Sequence, residues 1–383
     1  MTEDTPSSTH PPLPPTTEDI QFSWLRLLRS RRVGPVTFHR LLAEYGTAQN
    51  ALAALPELAR TAGVKRYEIC PEGAVEKELQ AAKAAKARLL CAGSPDYPEI
   101  LSDLHDAPPL LWAIGDVSLL HQPSVALVGA RNASSLGLRM ARALARDLGE
   151  SGFITTSGLA RGIDAAAHEA ALNAGTIAVV AGGVDVIYPS EHADLTKRIA
   201  EKGLILSEQP MGLAPQARHF PKRNRIIAGL ARALIVVEAA ARSGSLITAR
   251  DTLDLGREVL AVPGHPFDAR AAGCNMLIRD GATLVRNGAD VLAALPPSAP
   301  KPPNPQPRLE DLPPPPPEQR NLRETHALHQ HILARLGPAP TAEDQLIRDI
   351  SVPARDIAPI LTELELNGEI DRSPGGLLSR RMK

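Results

Sequence analysis

Residues Val125 to Leu172 read VALVGARNASSLGLRMARALARDLGESGFITTSGLARGIDAAAHEAAL. The opening run Val125-Ala126-Leu127-Val128 predicts a strand buried on both faces. Gly129 follows at once, then Arg131, Ser134 and Gly137. From Leu138 the apolar residues fall at helical spacing through Leu144 and Leu148, until Gly149 and Gly152 end the helix. Strand, glycine turn and helix make half of a βαβ unit, with a helix N-terminus suited to an anion. The second half repeats the device: Phe153-Ile154-Thr155-Thr156 as strand, Ser157-Gly158 as turn, Asp164 to Leu172 as helix. Two phosphate-sized turns thus lie on successive strands, with Arg131 and Arg161 beside them. In an open α/β sheet such turns converge on the ligand crevice, although glycines there also serve a scaffold that only has to turn tightly. Ala130-Arg131 stand where a dinucleotide fingerprint needs its second glycine, which argues against a nicotinamide dehydrogenase.

Working outward, 383 residues leave room for two or three domains and a sizeable core. The formal net charge is −1, so no global field draws the chain to nucleic acid, and anion binding must come from local clusters. Cys70, Cys91 and Cys274 are scattered and form no CxxC, which suggests a reducing compartment and no structural zinc. No apolar leader and no membrane-length apolar stretch is present, so a cytoplasmic location is expected.

The expected class is α/β: a Rossmann-like, doubly wound, mostly parallel sheet, with a small helical N-terminal domain and a winged-helix-like C-terminal domain. Residues 1–20 read as a disordered tail of Pro, Thr, Ser and acidic residues. Residues 21–70 read as helices around a Val33-Gly34-Pro35 turn. That turn resembles a helix-hairpin-helix element offering N–H groups to phosphate near Arg31 and Arg32; a bundle serving only as packing fits the same pattern. Residues 71–109 are expected to form an Ala- and Lys-rich helix over Glu76–Leu90 and an irregular lead into the first strand, with His105, and Trp112 just beyond, as packing residues. The α/β domain is placed at 110–295, its strands near Val125, Ile154, Ile177, LILS, ALIVV, EVLAV and ATLV. Residues 296–320 form a proline-rich linker. In 321–383 three helices and a hairpin resemble a winged helix. Its third helix carries Arg355 among Asp356, Glu363 and Glu365, so it suits a protein partner as well as DNA. His326, His329 and His331 read as a wet helix face.

Chemistry concentrates at Arg218-His219-Phe220-Pro221-Lys222-Arg223-Asn224-Arg225, placed just before a helix IIAGLAR. Cations at a helix N-terminus oppose its dipole unless an anion or an acidic partner compensates. Glu208 and Glu238 are internal candidates. A further polar turn, Ser243-Gly244-Ser245, opens another helix and forms an anion nest. Four such turns, at Gly129, Ser157, Gly182 and Ser243, can face one sheet edge.

The segments VGARNASSLG, SGLARGIDAAAHEAAL, GGVDVIYPSEH, SEQPMG, FPKRNRIIAGLARALIVVEA, SGSLITAR, REVLAVPG and GCNMLIRDGA together resemble the DNA-processing protein A (DprA/Smf) family. The resemblance spans nearly all of the α/β domain. It implies a homodimeric protein of natural transformation that binds incoming single-stranded DNA, protects it and helps load RecA recombinase. The turns and the resemblance single out Gly129, Arg131, Ser134, Ser157, Gly158, Arg161, Gly162, Phe220, Lys222, Arg223, Asn224, Arg225, Ser243, Gly244 and Ser245 as a DNA-binding set. No catalytic residue, metal or cofactor is implied. Some relatives carry a lysine after Tyr-Pro, where this chain has Ser190-Glu191. From Val125 to Leu295 the aromatics are Phe153, Tyr188, Phe220 and Phe267, so binding should lean on phosphates, with Phe220 the favoured stacking residue.

The rival is a Rossmann-like nucleoside monophosphate phosphoribohydrolase. That group uses a PGGxGT turn, where this chain has Ser243 to Thr248 instead, and Glu238 precedes the turn rather than following it. Asp164 and His168, one helical turn apart, are the remaining acid–base candidates. The alternative is that Asp164 caps its helix and His168 packs.

Overall fold

The computed structural model describes residues 17–64, 66–295, 330–337, 341–350, 357, 361, 364–365, 369–373 and 377–380. Most of the expected N-terminal tail, the proline linker, His326, His329, Arg355, Asp356 and Glu363 lie outside the described residues. The chain forms two units, Met1–Pro297 and Ser298–Lys383.

The first unit opens with α1 (Glu18–Arg29), α2 (Pro35–Tyr45), α3 (Ala48–Thr61) and α4 (Glu72–Ala84). Thr17 and Thr47 cap α1 and α3 by accepting N–H bonds from Ile20 and Asn50, while Pro35 opens α2, where no intrahelical donor is needed. The Val33-Gly34-Pro35 turn is tied into packing: Val33 is buried, and the Arg31 carbonyl accepts the Tyr67 hydroxyl at 2.7 Å.

The sheet begins earlier than expected. Arg88–Cys91 forms strand β1, antiparallel to β2 (Leu110–Gly115), so the Ala-rich helix stops at Ala84 and the α/β fold starts near residue 88. The Leu89-Leu90-Cys91 run was hidden at the end of an apparent helix, and only pairing with Leu110–Trp112 makes it a strand. β3 (Ser124–Val128), α5 (Ser135–Glu150), β4 (Ile154–Ser157), α6 (Ile163–Ala171), β5 (Thr176–Val179), α7 (Ala193–Lys202) and β6 (Leu204–Ser207) follow. Then come α8 (His219–Leu230), β7 (Ala233–Val236), α9 (Ser245–Asp254), β8 (Glu258–Ala261), α10 (Ala272–Arg279), β9 (Thr283–Leu284) and α11 (Gly288–Ala294).

The strand order is β1-β2-β6-β5-β4-β3-β7-β8-β9, parallel from β6 to β9 and antiparallel at β1 and β2. From β3 the chain winds outward through β4, β5 and β6, then returns to lay β7 on the other side of β3. The winding reverses between β3 and β7, and the crevice outside their carboxyl ends is where an open sheet admits ligand.

Both faces of the sheet are covered, which is why its strands read as continuous apolar runs. Val125 and Leu127 pack under α5 and α6, while Ala126 and Val128 face Ile226, Ile227 and Leu230 of α8. A third cluster joins Trp24, Phe38 and Leu52 of the helical region to Trp112, Ala178, Ile199 and Ile205. The helical region therefore shares its core with the α/β fold.

In the second unit Thr341–Ala342, Leu377–Arg380 and Ile370–Ser373 form an antiparallel three-stranded sheet in that order. It packs on helix Glu343–Ile350 and the turn of helix at 330–335 around Ile332, Leu346, Leu361 and Leu378. This is a winged-helix arrangement.

Candidate nucleic-acid interface

At the reversal point lies a cavity of about 720 Å³, lined by the turn after β3, the turn before α9 and one face of α8. Gly129, Arg131, Phe220, Arg223, Asn224, Ser243, Gly244 and Ser245 all border it. Helix α8 starts at His219, so the cluster expected ahead of a helix lies within its first two turns. Pro221 is tolerated there because first-turn N–H groups have no intrahelical acceptor. Helical periodicity then sorts the residues. Phe220, Arg223, Asn224 and Ile227 share the cavity face, spaced i, i+3, i+4 and i+7.

Lys222 and Arg225 do not border the cavity. Lys222 is exposed. Arg225 is held among carboxylates: its Nε lies 3.1 Å from Asp106, and its Nη2 bonds to Glu208. Its partner is thus Glu208, the acid at the end of β6.

The first two turns are not open anion nests, because internal carboxylates fill them. Glu238, buried at the end of β7, accepts the Ser134 N–H at 2.9 Å, while its carbonyl accepts the Ala130 N–H at 2.6 Å. Ser134 caps α5 by accepting the Gly137 N–H at 3.0 Å. Asp164 accepts the Gly158 N–H at 3.1 Å and the Ala160 N–H at 3.4 Å. Ser157 is buried and donates to the Leu127 carbonyl at 2.6 Å. In the turn before α9 Ser243 Oγ accepts the Ser245 N–H at 3.2 Å, and Ser245 Oγ donates to the Gly129 carbonyl at 3.0 Å.

Two glycines are dictated by close approach. A Cβ on Gly158 would overlap the Arg223 guanidinium, and one on Gly162, at φ +75°, would overlap the Ala130 carbonyl. Arg223 is packed against the Ser157-Gly158 turn, 6% exposed, with an Nε that has no hydrogen-bond partner among the described residues. Burial pulls its guanidinium down to about 10, with Asp164 opposing and Arg131 adding to the shift, so it stays charged at neutral pH. Burial raises the Asp164 carboxyl, and Arg223 and the turn's N–H groups work against that.

Arg131 sits with its guanidinium 5.0 Å from the Phe220 ring centre. Sequence reasoning missed Arg242 and Arg270, which also border the cavity. Arg242 was legible, one residue ahead of the Ser-Gly-Ser turn. Arg270 carried no local signal, since a loop from β8 delivers it, 3.5 Å from Glu238. Arg161 does not border this cavity and pairs with Glu191 at 2.7 Å, so the acid after Tyr-Pro neutralises it.

Asp164 borders the cavity but His168 does not, so the two form no acid–base pair there. His168 is fully buried; its Nε2 accepts the Leu159 N–H at 3.3 Å and its Nδ1 lies 2.7 Å from Thr176 Oγ1. The Thr176 hydroxyl donates to the Thr155 carbonyl at 2.8 Å, so Nδ1 carries the proton and the ring is neutral. Burial, with Arg223 and His192 nearby, depresses its pKa to about 3. Both residues hold the Ser157–Arg161 turn in place.

Residues 88–296 match the family of DNA recombination-mediator protein A, residues 18–81 its DprA-like N-terminal HHH domain, and residues 313–376 the DprA winged helix domain. The Smf protein of Synechocystis is 33% identical over 94% of this chain and 99% of its own length. Escherichia coli Smf is 37% identical over 83% of this chain and 84% of its own. The crystal structure of DprA from Streptococcus pneumoniae superposes with a TM-score of 0.64 at 37% identity, covering 72% of this chain and 98% of that one. The DprA structure from Helicobacter pylori, described for its single-stranded DNA binding mode, superposes at 0.51 with 30% identity, over 54% of this chain and 94% of that one. With its helical region, α/β core and winged helix each matched, this chain belongs to the DNA recombination-mediator protein A family, the DprA/Smf proteins.

Proposed function

We propose that this protein binds single-stranded DNA in the crevice between the β3 and β7 turns and acts in natural transformation. In this reading it shields the incoming strand and helps load RecA recombinase, working in the cytoplasm as a homodimer and by binding rather than catalysis. The observation that carries the reading is the convergence of Arg131, Arg223, Arg242, Arg270 and Phe220 on one open cavity. Arg131 and Arg242 have no carboxylate partner among the described residues, so their charge is available to phosphate. The relative from Helicobacter pylori is described as a single-stranded DNA binder, in keeping with this ligand class. Contacts of this kind recognise the backbone rather than sequence.

Titration of labelled single- and double-stranded oligonucleotides at several salt concentrations tests the reading. The expected result is tighter binding of single strands of any sequence, with a salt slope of about 0.7 per phosphate contact. Release of free base from a nucleoside monophosphate, without oligonucleotide binding, would favour the phosphoribohydrolase instead.

A further inference from the structure

Phe267 is 94% exposed, the most exposed aromatic among the described residues, and the cavity does not use it. A fully wet phenyl ring forgoes a burial gain, and here it stands on a loop that is firmly held. Gly264 and Asn275 exchange two hydrogen bonds across the loop's base, at 3.2 and 3.0 Å. The Phe267 N–H donates to His265 Nδ1 at 3.3 Å, and the Asp268 N–H to the His265 carbonyl at 2.9 Å. Asp268 in turn grips Arg270 through its N–H, Nε and Nη2, all within 3.1 Å. The His265 ring lies 5.5 Å from that of Phe267, inclined by 37°.

The loop leaves the carboxyl end of β8, the same sheet edge as the cavity, and Arg270 ties the two together. Phe220, by contrast, is half-buried and already faces the Arg131 guanidinium. Resting on the single-strand reading above, we propose that Phe267, with His265 beside it, is a stacking platform for a nucleobase of the strand as it leaves the cavity past Arg270. An unpaired base offers a π-face whatever its identity, so such a platform adds affinity without sequence preference. Because the loop is held before binding, little ordering remains to oppose the contact.

The test compares the full chain and its Phe267→Ala variant by fluorescence anisotropy. The probes are a labelled single-stranded oligonucleotide and an abasic strand of the same length, which keeps phosphates and sugars only. The expected result is a loss of about tenfold for Phe267→Ala on the base-bearing strand, no change on the abasic strand, and recovery in Phe267→Trp. Melting should be unaltered, since the ring buries almost nothing. Unchanged binding of the base-bearing strand by Phe267→Ala overturns the platform. If Arg131→Ala still weakens binding in that case, the cavity reading survives. If the parent binds neither strand, both proposals fall. A changed mass in light scattering without any change in oligonucleotide binding would assign the ring to an interface between protein chains, and overturns the proposal as well.

Discussion

Arg131 joins the β3 turn to Phe220 and borders the cavity with no ion-pair partner among the described residues, which makes it the cleanest probe of phosphate contact. Arg131→Ala is expected to weaken all single-stranded sequences alike and flatten the salt dependence by roughly 0.7 of a counterion, with unaltered melting. Normal affinity at two salt concentrations would place the phosphate contacts elsewhere. His168 is a probe of the scaffold beneath. Its pKa of about 3 lies below the ordinary 6.5, so on acidification the unfolded chain takes up the proton first. Stability present above pH 6.5 is lost as the pH falls toward 3, by about 1.4 kcal/mol per pH unit for this ring. Asp164, with its carboxyl raised, works in the opposite direction. Comparison with His168→Gln isolates the imidazole's share. Denaturant unfolding at pH 7 and pH 5 should show a shallower loss in His168→Gln than in the parent; equal slopes would count against the buried neutral ring.

At the scale of the element, α8 divides its cations between two duties. Its cavity face carries Phe220, Arg223 and Asn224, while Arg225 turns back to Glu208 and Asp106. Removing one member of a partly buried ion network strands the others, so Arg225→Ala should destabilise the fold by about 3 kcal/mol. At a temperature where the variant remains folded, its single-strand affinity should match the parent's. Lys222→Ala, on an exposed side chain, should change melting little. A stable Arg225→Ala variant with lost binding would reverse these roles.

At the scale of the molecule, the helical region is part of the main core: Trp24 and Phe38 belong to the same apolar cluster as Trp112 and Ile205. A cut at residue 110 would expose that cluster, whereas a cut after Pro297 follows the division between the two units. A chain ending near Pro300 is therefore expected to fold and to keep most single-strand affinity. Loss of more than about tenfold, roughly 1.4 kcal/mol, would make the winged helix a primary DNA site. Light scattering of the same truncated chain should report a homodimer at micromolar concentration. A monomer there would require the second unit, or DNA, for assembly.

The sequence by itself determined the alternation of strands and helices and the turns that end the strands. The apolar runs at Val125, Ile177 and Leu234 alternate with helical periodicities, and glycine turns mark the strand ends, all local signals. β1 escaped because four residues at the end of a helical pattern become a strand only through a partner some twenty residues away. The division of the site was decided by tertiary structure alone. Glu238 and Asp164 reach the first two turns from outside them, one across the sheet and one from the following helix, and fill what local pattern presents as phosphate nests. Arg270 enters the cavity from a loop beyond β8, and Arg225 leaves it for Glu208. Local sequence tells which turns can hold an anion; which carboxylates and guanidiniums meet there depends on contacts between segments far apart in the chain, and on the low dielectric that makes an unpaired buried charge so costly.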